Sequence, residues 1–502
     1  MKGRSHSELA GLLVLGRVLA TLSESLVMLV IVRQLGKPEV GVLSALLLVY
    51  QTLALVASAG FPAALMYFLP TRTAGERRAI TTRFTWTLAL LGGVCGGVMA
   101  LLGAIDWYAP GSLAFVSGDA SVSLRYLMVL AVFPIVDLPA RLLPNLLVVE
   151  GRASDAAAVG ILQSIGMTLA TVLPIALGGD HWSVMAAIDA WGLVFGLVLL
   201  RYLRALWRGE ARVASPVSVR EIIRFGVPLG LTDIIAFLNN RLDRWLVMVL
   251  FSAAVFAEYQ AGAWQIPFIV QIPAAVGSVY TPHFRQLFAA SRAQEAIDVW
   301  RASIVKVSLL VVPLTMVFVV AAEETMELLF TAEYARAAWV FRFYGVFTLL
   351  RVASFGNVIV AAGRSDLVFR AALFAFVANV ALSVPLVHAI GFEGPALGTA
   401  LAFVPTVMFY CWCIGRAAGL PFGAIFPVGS YLQILGVAAV AGAAGVAFKL
   451  GVAGPAGLKL AGTAAVVLAV FAAVGTLTGR IEAADWRYVG RWLRLDVLRR
   501  AR

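Results

Sequence analysis

The stretch Gly11-Leu-Leu-Val-Leu-Gly-Arg-Val-Leu-Ala-Thr-Leu-Ser-Glu-Ser-Leu-Val-Met-Leu-Val-Ile-Val32 decides how this chain is read. As a helix it rises about 33 Å, enough to cross the hydrocarbon core of a bilayer. Yet it holds Arg17 and Glu24. A charge at the centre of a membrane helix costs about 2.5–3.5 kcal/mol, so such a residue faces a protein or water-filled interior. Val42 to Leu69, Val159 to Leu177 and Leu460 to Leu477 are further apolar stretches, and Asp189, Asp233 and Arg351 fall inside others. The chain therefore reads as an all-α polytopic membrane protein with a polar internal cavity. That pattern points to transport.

Composition agrees, with 61% hydrophobic and 13% charged residues and a mean hydropathy of +0.92, far from a soluble domain. Cys95, Cys411 and Cys413 lie in apolar stretches and imply no disulfide framework. Cys411 and Cys413 are two apart, which on a helix points them to different sides and makes them a poor metal pair. His6, His181, His283 and His388 are scattered, so no metal site is expected. The first apolar segment is too long and too charged for a cleavable signal. The net charge of +12 is accounted for by loops and tail, where it sets orientation and attracts anionic lipid; nucleic acid is not an expected partner.

Hydropathy and turn residues predict about fourteen spans, near 8–34, 40–69, 80–104, 124–149, 154–178, 182–205, 219–251, 254–284, 299–322, 337–362, 366–390, 394–417, 428–450 and 457–478. One set of loops is basic: Arg72, Arg77, Arg78 and Arg83; Arg201 to Arg224; Arg285, Arg292 and Arg301. The other is short or acidic, with Asp106, Asp119, Asp180, Glu323, Glu324, Glu327 and Glu333. The positive-inside rule puts the basic set, and with it both termini, in the cytoplasm. Trp486 to Leu498 reads either as an amphipathic helix on the inner leaflet or as a disordered tail.

The chain repeats itself once. Leu26-Val-Met-Leu-Val30 resembles Leu246-Val-Met-Val-Leu250, each followed by a break with Glu39 and Gly41 or Glu258 and Gly262. Val148-Val-Glu-Gly-Arg-Ala-Ser-Asp155 resembles Val360-Ala-Ala-Gly-Arg-Ser-Asp366. The expected domains are two six-helix lobes, 1–210 and 211–420, an extra hairpin at 421–480 and a basic cytoplasmic tail at 481–502. Repeated lobes with a site between them are a common transporter architecture.

Arg33-Gln-Leu-Gly-Lys-Pro-Glu-Val-Gly41, Ser58-Ala-Gly-Phe-Pro-Ala-Ala-Leu-Met-Tyr-Phe-Leu-Pro70, Asn239-Asn-Arg-Leu-Asp-Arg244 and the Gly151-Arg152 and Gly363-Arg364 turns resemble, in order and spacing, motifs of polysaccharide-biosynthesis membrane proteins. These belong to the multidrug/oligosaccharidyl-lipid/polysaccharide (MOP) exporter superfamily, and the resemblance covers about residues 8–420. It implies a V-shaped alternating-access transporter, a Wzx-like flippase moving a polyprenyl-diphosphate-linked oligosaccharide across the bacterial inner membrane. Its implied partners are the lipid-linked glycan, the bilayer, and a polysaccharide polymerase with export machinery. Two alternatives stand beside it: a cation-coupled drug or metabolite antiporter of the same superfamily, and a non-transporting scaffold for polysaccharide assembly.

A diphosphate needs cations, and the planar arginine fork donates two hydrogen bonds at once. Arg17, Arg141, Arg241 and Arg351 are nearest mid-depth and are the substrate candidates, with Asn240 and Gln271 as amide partners in the same cavity; ordinary helix contacts are the other reading of the amides. Asp137 and Arg141, four apart, share a helical face, so Arg141 is either a ligand or half of a structural pair. Arg351 has no carboxylate within four residues. Glu24 and Asp233 are candidates for coupling to H+ or Na+, the alternative being that each neutralises a nearby arginine. Pro134, Pro139 and Pro144 interrupt the fourth span, and Pro267 and Pro273 the eighth, as hinges or as packing kinks. The chain has no phosphate-binding Gly-x-x-x-x-Gly-Lys-Ser/Thr loop and no nucleophile elbow, so neither a cofactor nor enzymatic activity is expected.

Overall fold

The computed structural model describes residues 23, 25–58, 60–70, 72–112, 123–210 and 213–479. Arg17, Glu24, Asp119, Arg212 and the basic tail with Trp486 to Leu498 lie outside the described residues. All regular structure among the described residues is helical. Two compact units divide at Ala257 and Glu258.

In the first unit, α1 (Ser25–Gln34) leads to α2 (Lys37–Ser58) and α3 (Phe61–Phe68), which turn at Gly60. Thr73 and Glu76 then start α4 (Ala74–Tyr108) with a reciprocal cap. The Glu76 amide donates to the Thr73 hydroxyl at 3.4 Å, and the Thr73 amide donates to the Glu76 carboxylate at 3.0 Å. This satisfies two amides that have no partner inside the helix. Against α4 packs a span broken into a 3₁₀ segment (Leu124–Ala131), α5 (Phe133–Ala140) and α6 (Leu143–Val149), bent by 62° between the first part and the rest. A Cβ on Gly92 would strike the Pro134 carbonyl, and one on Gly96 the Ala131 carbonyl. Small residues let the two backbones approach. The unit continues with α7 (Ala153–Ala176), α8 (His181–Leu206) and α9 (Val219–Leu250). Asp180 caps α8 by accepting from the Ser183 amide at 3.1 Å, and Ser218 with Glu221 form a second capping box on α9. Trp245 on α9 donates to Thr52 of α2 at 3.2 Å.

The short helix α10 (Ala253–Gly262) crosses the division and precedes α11 (Pro267–Ala289), bent from it by 54°. In the second unit follow α12 (Ala293–Val320), α13 (Ala322–Phe330), α14 (Ala337–Leu350), α15 (Phe355–Ala361), α16 (Ser365–Ile390), α17 (Gly394–Ala418), α18 (Val428–Gly451) and α19 (Ala456–Leu477). The last two form a hairpin lying against α12. Lys449 near the end of α18 fastens it: its Nζ lies 2.6 Å from Glu323 and 2.9 Å from Glu324, while Arg342 reaches Glu323 at 2.9 Å. Hydrogen bonding from Lys449 foremost, with Arg342 adding to it and burial opposing, holds the Glu323 carboxyl below its usual range.

Nine helices among the described residues are long and apolar enough to cross a membrane, or eleven if each bent pair is one crossing. The expected count of fourteen is not fixed by this. One of the nine runs is Ser365–Ala418, which a 3₁₀ turn at Gly391–Glu393 divides into α16 and α17. The helix α9 is not among them, since it carries Arg220, Glu221, Arg224, Asp233, Arg241, Asp243 and Arg244. The first span is described only from Ser25 to Gln34 as a helix.

The internal repeat is visible in backbone geometry. Gly151 and Gly363 both take left-handed φ, 72° and 75°, which glycine adopts without steric cost. The Arg152 amide donates to the Leu147 carbonyl at 2.7 Å, and the Arg364 amide to the Ile359 carbonyl at 3.1 Å. Each arginine then pairs with the aspartate that follows, Asp155 at 2.5 Å and Asp366 at 2.9 Å. The two turns close the same way, and each begins a long helix, α7 or α16.

Candidate functional site

Each repeated turn is preceded by a span that breaks within the apolar region, and each break holds an arginine. In the first unit the break falls at Arg141 and Leu142, between α5 and α6; in the second it covers Arg351 to Ser354, between α14 and α15. Interrupted spans free backbone groups inside the membrane, and such breaks are where transporters place polar sites.

The two arginines are in opposite circumstances. Arg141 donates from Nε to Asp137 Oδ2 at 2.9 Å and from Nη2 at 2.8 Å. The Tyr50 hydroxyl, from α2, donates to the same buried carboxylate oxygen, and Arg141 reaches that hydroxyl at 3.5 Å. The charge is thus neutralised inside its own unit. Arg351 makes no ion pair with any described residue. Its guanidinium lies over the Phe347 ring, 5.1 Å from the centroid, and Tyr344 and Tyr410 are close enough to act on it electrostatically. Tyr410 stacks on Phe355, with centroids 5.5 Å apart and planes 22° from parallel. Phe347 meets Phe403 edge-on at 5.0 Å. A cation with aromatic walls and no counter-charge can take an anion and the face of a sugar.

The break is held open by packing. Val352 is buried, and the Ser354 hydroxyl donates to the Pro273 carbonyl of α11 at 3.1 Å. No proline lies in the break itself.

Of the other expected site residues, Asp233, Asn240 and Arg241 stand on one face of α9, spaced seven and eight apart. Asp233 and Asn240 are exposed; Arg241 is half-buried with its guanidinium 5.7 Å from the Phe237 ring. Gln271 is half-buried on α11, one turn beyond Pro267. Arg17 and Glu24 lie outside the described residues. Tyr50, Phe347 and Tyr410 belong to the sites but were not expected. Only Phe347 had a signal in the sequence, its spacing of four from Arg351. Among the described residues no group of three His, Cys, Asp or Glu side chains converges to hold a metal ion.

Helical crossings, interrupted spans and an internally repeated turn define an all-helical polytopic membrane fold. Solved structures share it: a lipid II flippase MurJ in an inward closed conformation superposes with a TM-score of 0.67 at 10% identity, covering 93% of this chain and 99% of that one. An inward-facing multidrug resistance MATE family transporter of the MOP superfamily gives 0.58 at 16% identity, covering 84% and 96%. A MOP superfamily transporter from Pyrococcus furiosus gives 0.54 at 15%, covering 82% and 94%. At such identities these likenesses speak to the fold. A family model described as polysaccharide biosynthesis protein matches residues 10–288, and the chain belongs to that family. A probable low-salt glycan biosynthesis flippase, Agl15 of Haloferax volcanii, is 22% identical over 317 residues, 61% of this chain. The chain spans 64% of that relative's length. These relatives are described as flippases and transporters, none as an enzyme.

Proposed function

We propose that the chain is a flippase that carries a polyprenyl-diphosphate-linked oligosaccharide across the bacterial inner membrane for polysaccharide biosynthesis. Its two lobes, 1–210 and 211–420, rock around a hydrated cavity, with both termini in the cytoplasm. The observation that supports this most is Arg351: a half-buried guanidinium at a break in an apolar span, over Phe347 and near Tyr344 and Tyr410, without a carboxylate partner among the described residues. It binds the diphosphate, while the aromatic rings lie against the sugar. The names of the family and of the Haloferax relative fit a glycan substrate. Arg17 approaches the same diphosphate, Arg241, Asn240 and Gln271 line the path, and Glu24 or Asp233 couples the cycle to H+ or Na+. Arg141, already neutralised, holds its break together and does not take substrate.

The test is deletion of the gene. Loss of the protein should leave polyprenyl-linked glycan accumulated on the cytoplasmic face, restored by the wild-type chain. Unchanged glycan export with new drug sensitivity would favour an antiporter in which Asp233 outweighs Arg351. Unchanged lipid-linked glycan with loss of polymer alone would favour a scaffold.

A further inference from the structure

The helix α4 is longer than a bilayer core. At 35 residues it extends about 52 Å, against roughly 30 Å of hydrocarbon. Its charge-free part runs from Phe84 to Ile105, which in a helix is about 33 Å. The turns before Phe84 therefore project into the headgroup layer. Trp86 stands at the boundary, 72% exposed, where amphipathic rings collect.

On this projecting part lies an open cleft of about 690 Å³, between α4 and the linker that precedes α9. Arg78, Thr82, Arg83, Trp86 and Thr87 line it from α4, and Ser215 from the linker. Arg78 donates to the Glu210 carbonyl at 2.5 Å, and Arg83 to the Val217 carbonyl at 2.7 Å. These bonds occupy one guanidinium nitrogen of each arginine, and a guanidinium has five N–H groups. Neither arginine has an ion-pair partner among the described residues, whereas neighbouring Arg72 and Arg77 are paired with Glu76 and Glu150. No carboxylate among the described residues lines the cleft. The Thr82, Thr87 and Ser215 hydroxyls donate to the Arg78, Arg83 and Val217 carbonyls, so the two cations at headgroup depth, with their remaining N–H groups, are what form a receptor for a phosphate group.

We propose that this cleft binds the phosphate headgroup of an anionic membrane phospholipid, with the acyl chains running up the Trp86 face of α4. Because the same arginines hold the linker, a bound lipid braces the segment joining α8 to α9.

The test uses full-length protein purified from one host membrane as wild type, Arg83→Gln and Ala79→Trp. Ala79→Trp fills the cleft while leaving both arginines in place, so it decides the matter if Arg83→Gln loosens the linker. Phosphatidylglycerol, phosphatidylcholine or inorganic phosphate is added in detergent, and bound molecules are counted by native mass spectrometry. Wild type should hold phosphatidylglycerol roughly tenfold more tightly than phosphatidylcholine, as losing a charge-assisted contact would predict. Both variants should lose that preference. Equal preference in Ala79→Trp and wild type would overturn the site, as would no preference in wild type. Displacement of phosphatidylglycerol by inorganic phosphate alone would overturn the lipid assignment in favour of a free anion.

Discussion

The Arg351 guanidinium lies 5.1 Å from the centre of the Phe347 ring, four residues back on α14, where that helix ends inside an apolar span. Arg141 stands at the corresponding break before the other repeated turn, bound to Asp137 and Tyr50. One duplicated feature has thus become a neutral brace in one unit and, in the other, a cation without a counter-charge among the described residues.

The brace makes a stability prediction. Asp137→Asn would leave Arg141 with neutral acceptors and no counter-charge among the described residues, and an uncompensated charge that is only partly buried costs about 1–3 kcal/mol. The melting temperature in detergent should fall by several degrees. Combining Asp137→Asn with Arg141→Gln should recover much of the loss, because the charge goes with its partner. Additive losses in the double variant would show that the two residues do not act as a pair.

That pair also shows what the sequence can reveal. Its i,i+4 spacing was readable, but Tyr50 comes from another helix and no local pattern points to it. Likewise Pro134 and Pro267 mark the bends of 62° and 54°, because proline lacks the amide a continuing helix needs. The expected span 337–362 matches the crossing Ala337–Ala361, but the break at Arg351 to Ser354 inside it carries no proline to announce it. It is maintained by the Ser354 bond to Pro273, a contact between helices far apart in sequence. The absence of a carboxylate near Arg351 was legible along the chain; Tyr410 beside it was not.

The repeated turns predict a matched pair of effects. Nothing lies within 4 Å of a Cβ added to Gly151 or Gly363, so the cost of alanine there is the left-handed backbone alone. Gly151→Ala and Gly363→Ala should each destabilise by about 1–2 kcal/mol. Asparagine should cost less, since it tolerates that conformation. Thermal unfolding of the four variants checks this; a neutral alanine would contradict the conformational account.

Acid should loosen the C-terminal hairpin. Lys449 holds the Glu323 carboxyl below its usual value of 4.5, so the folded form binds that proton more weakly than the unfolded one. The stabilisation is full above about pH 4.5 and is lost as pH falls through the lowered value. Glu323 is 53% exposed, so the effect is modest. The melting temperature of wild type should drop further than that of Glu323→Gln between pH 6 and pH 4, on the order of a degree or two. Parallel pH curves would remove Glu323 from the fastening.

Sidedness follows from the basic loops. Single cysteines at Gly75 and Gly209 should resist an impermeant thiol reagent applied outside intact cells, and one at Gly179 should react. Cys95, Cys411 and Cys413 are buried and give little background. The reverse pattern would place both termini outside.

Transport by Arg351 variants tests the central claim most directly. Wild type, Arg351→Lys and Arg351→Ala are brought to matched membrane levels, and movement of polyprenyl-diphosphate-linked glycan is measured in reconstituted vesicles. Lysine keeps the charge but loses the planar two-donor fork, so it should restore only part of the rate. Alanine should reduce it at least roughly tenfold, the cost of one charge-assisted contact. A full rate in Arg351→Ala would contradict the account.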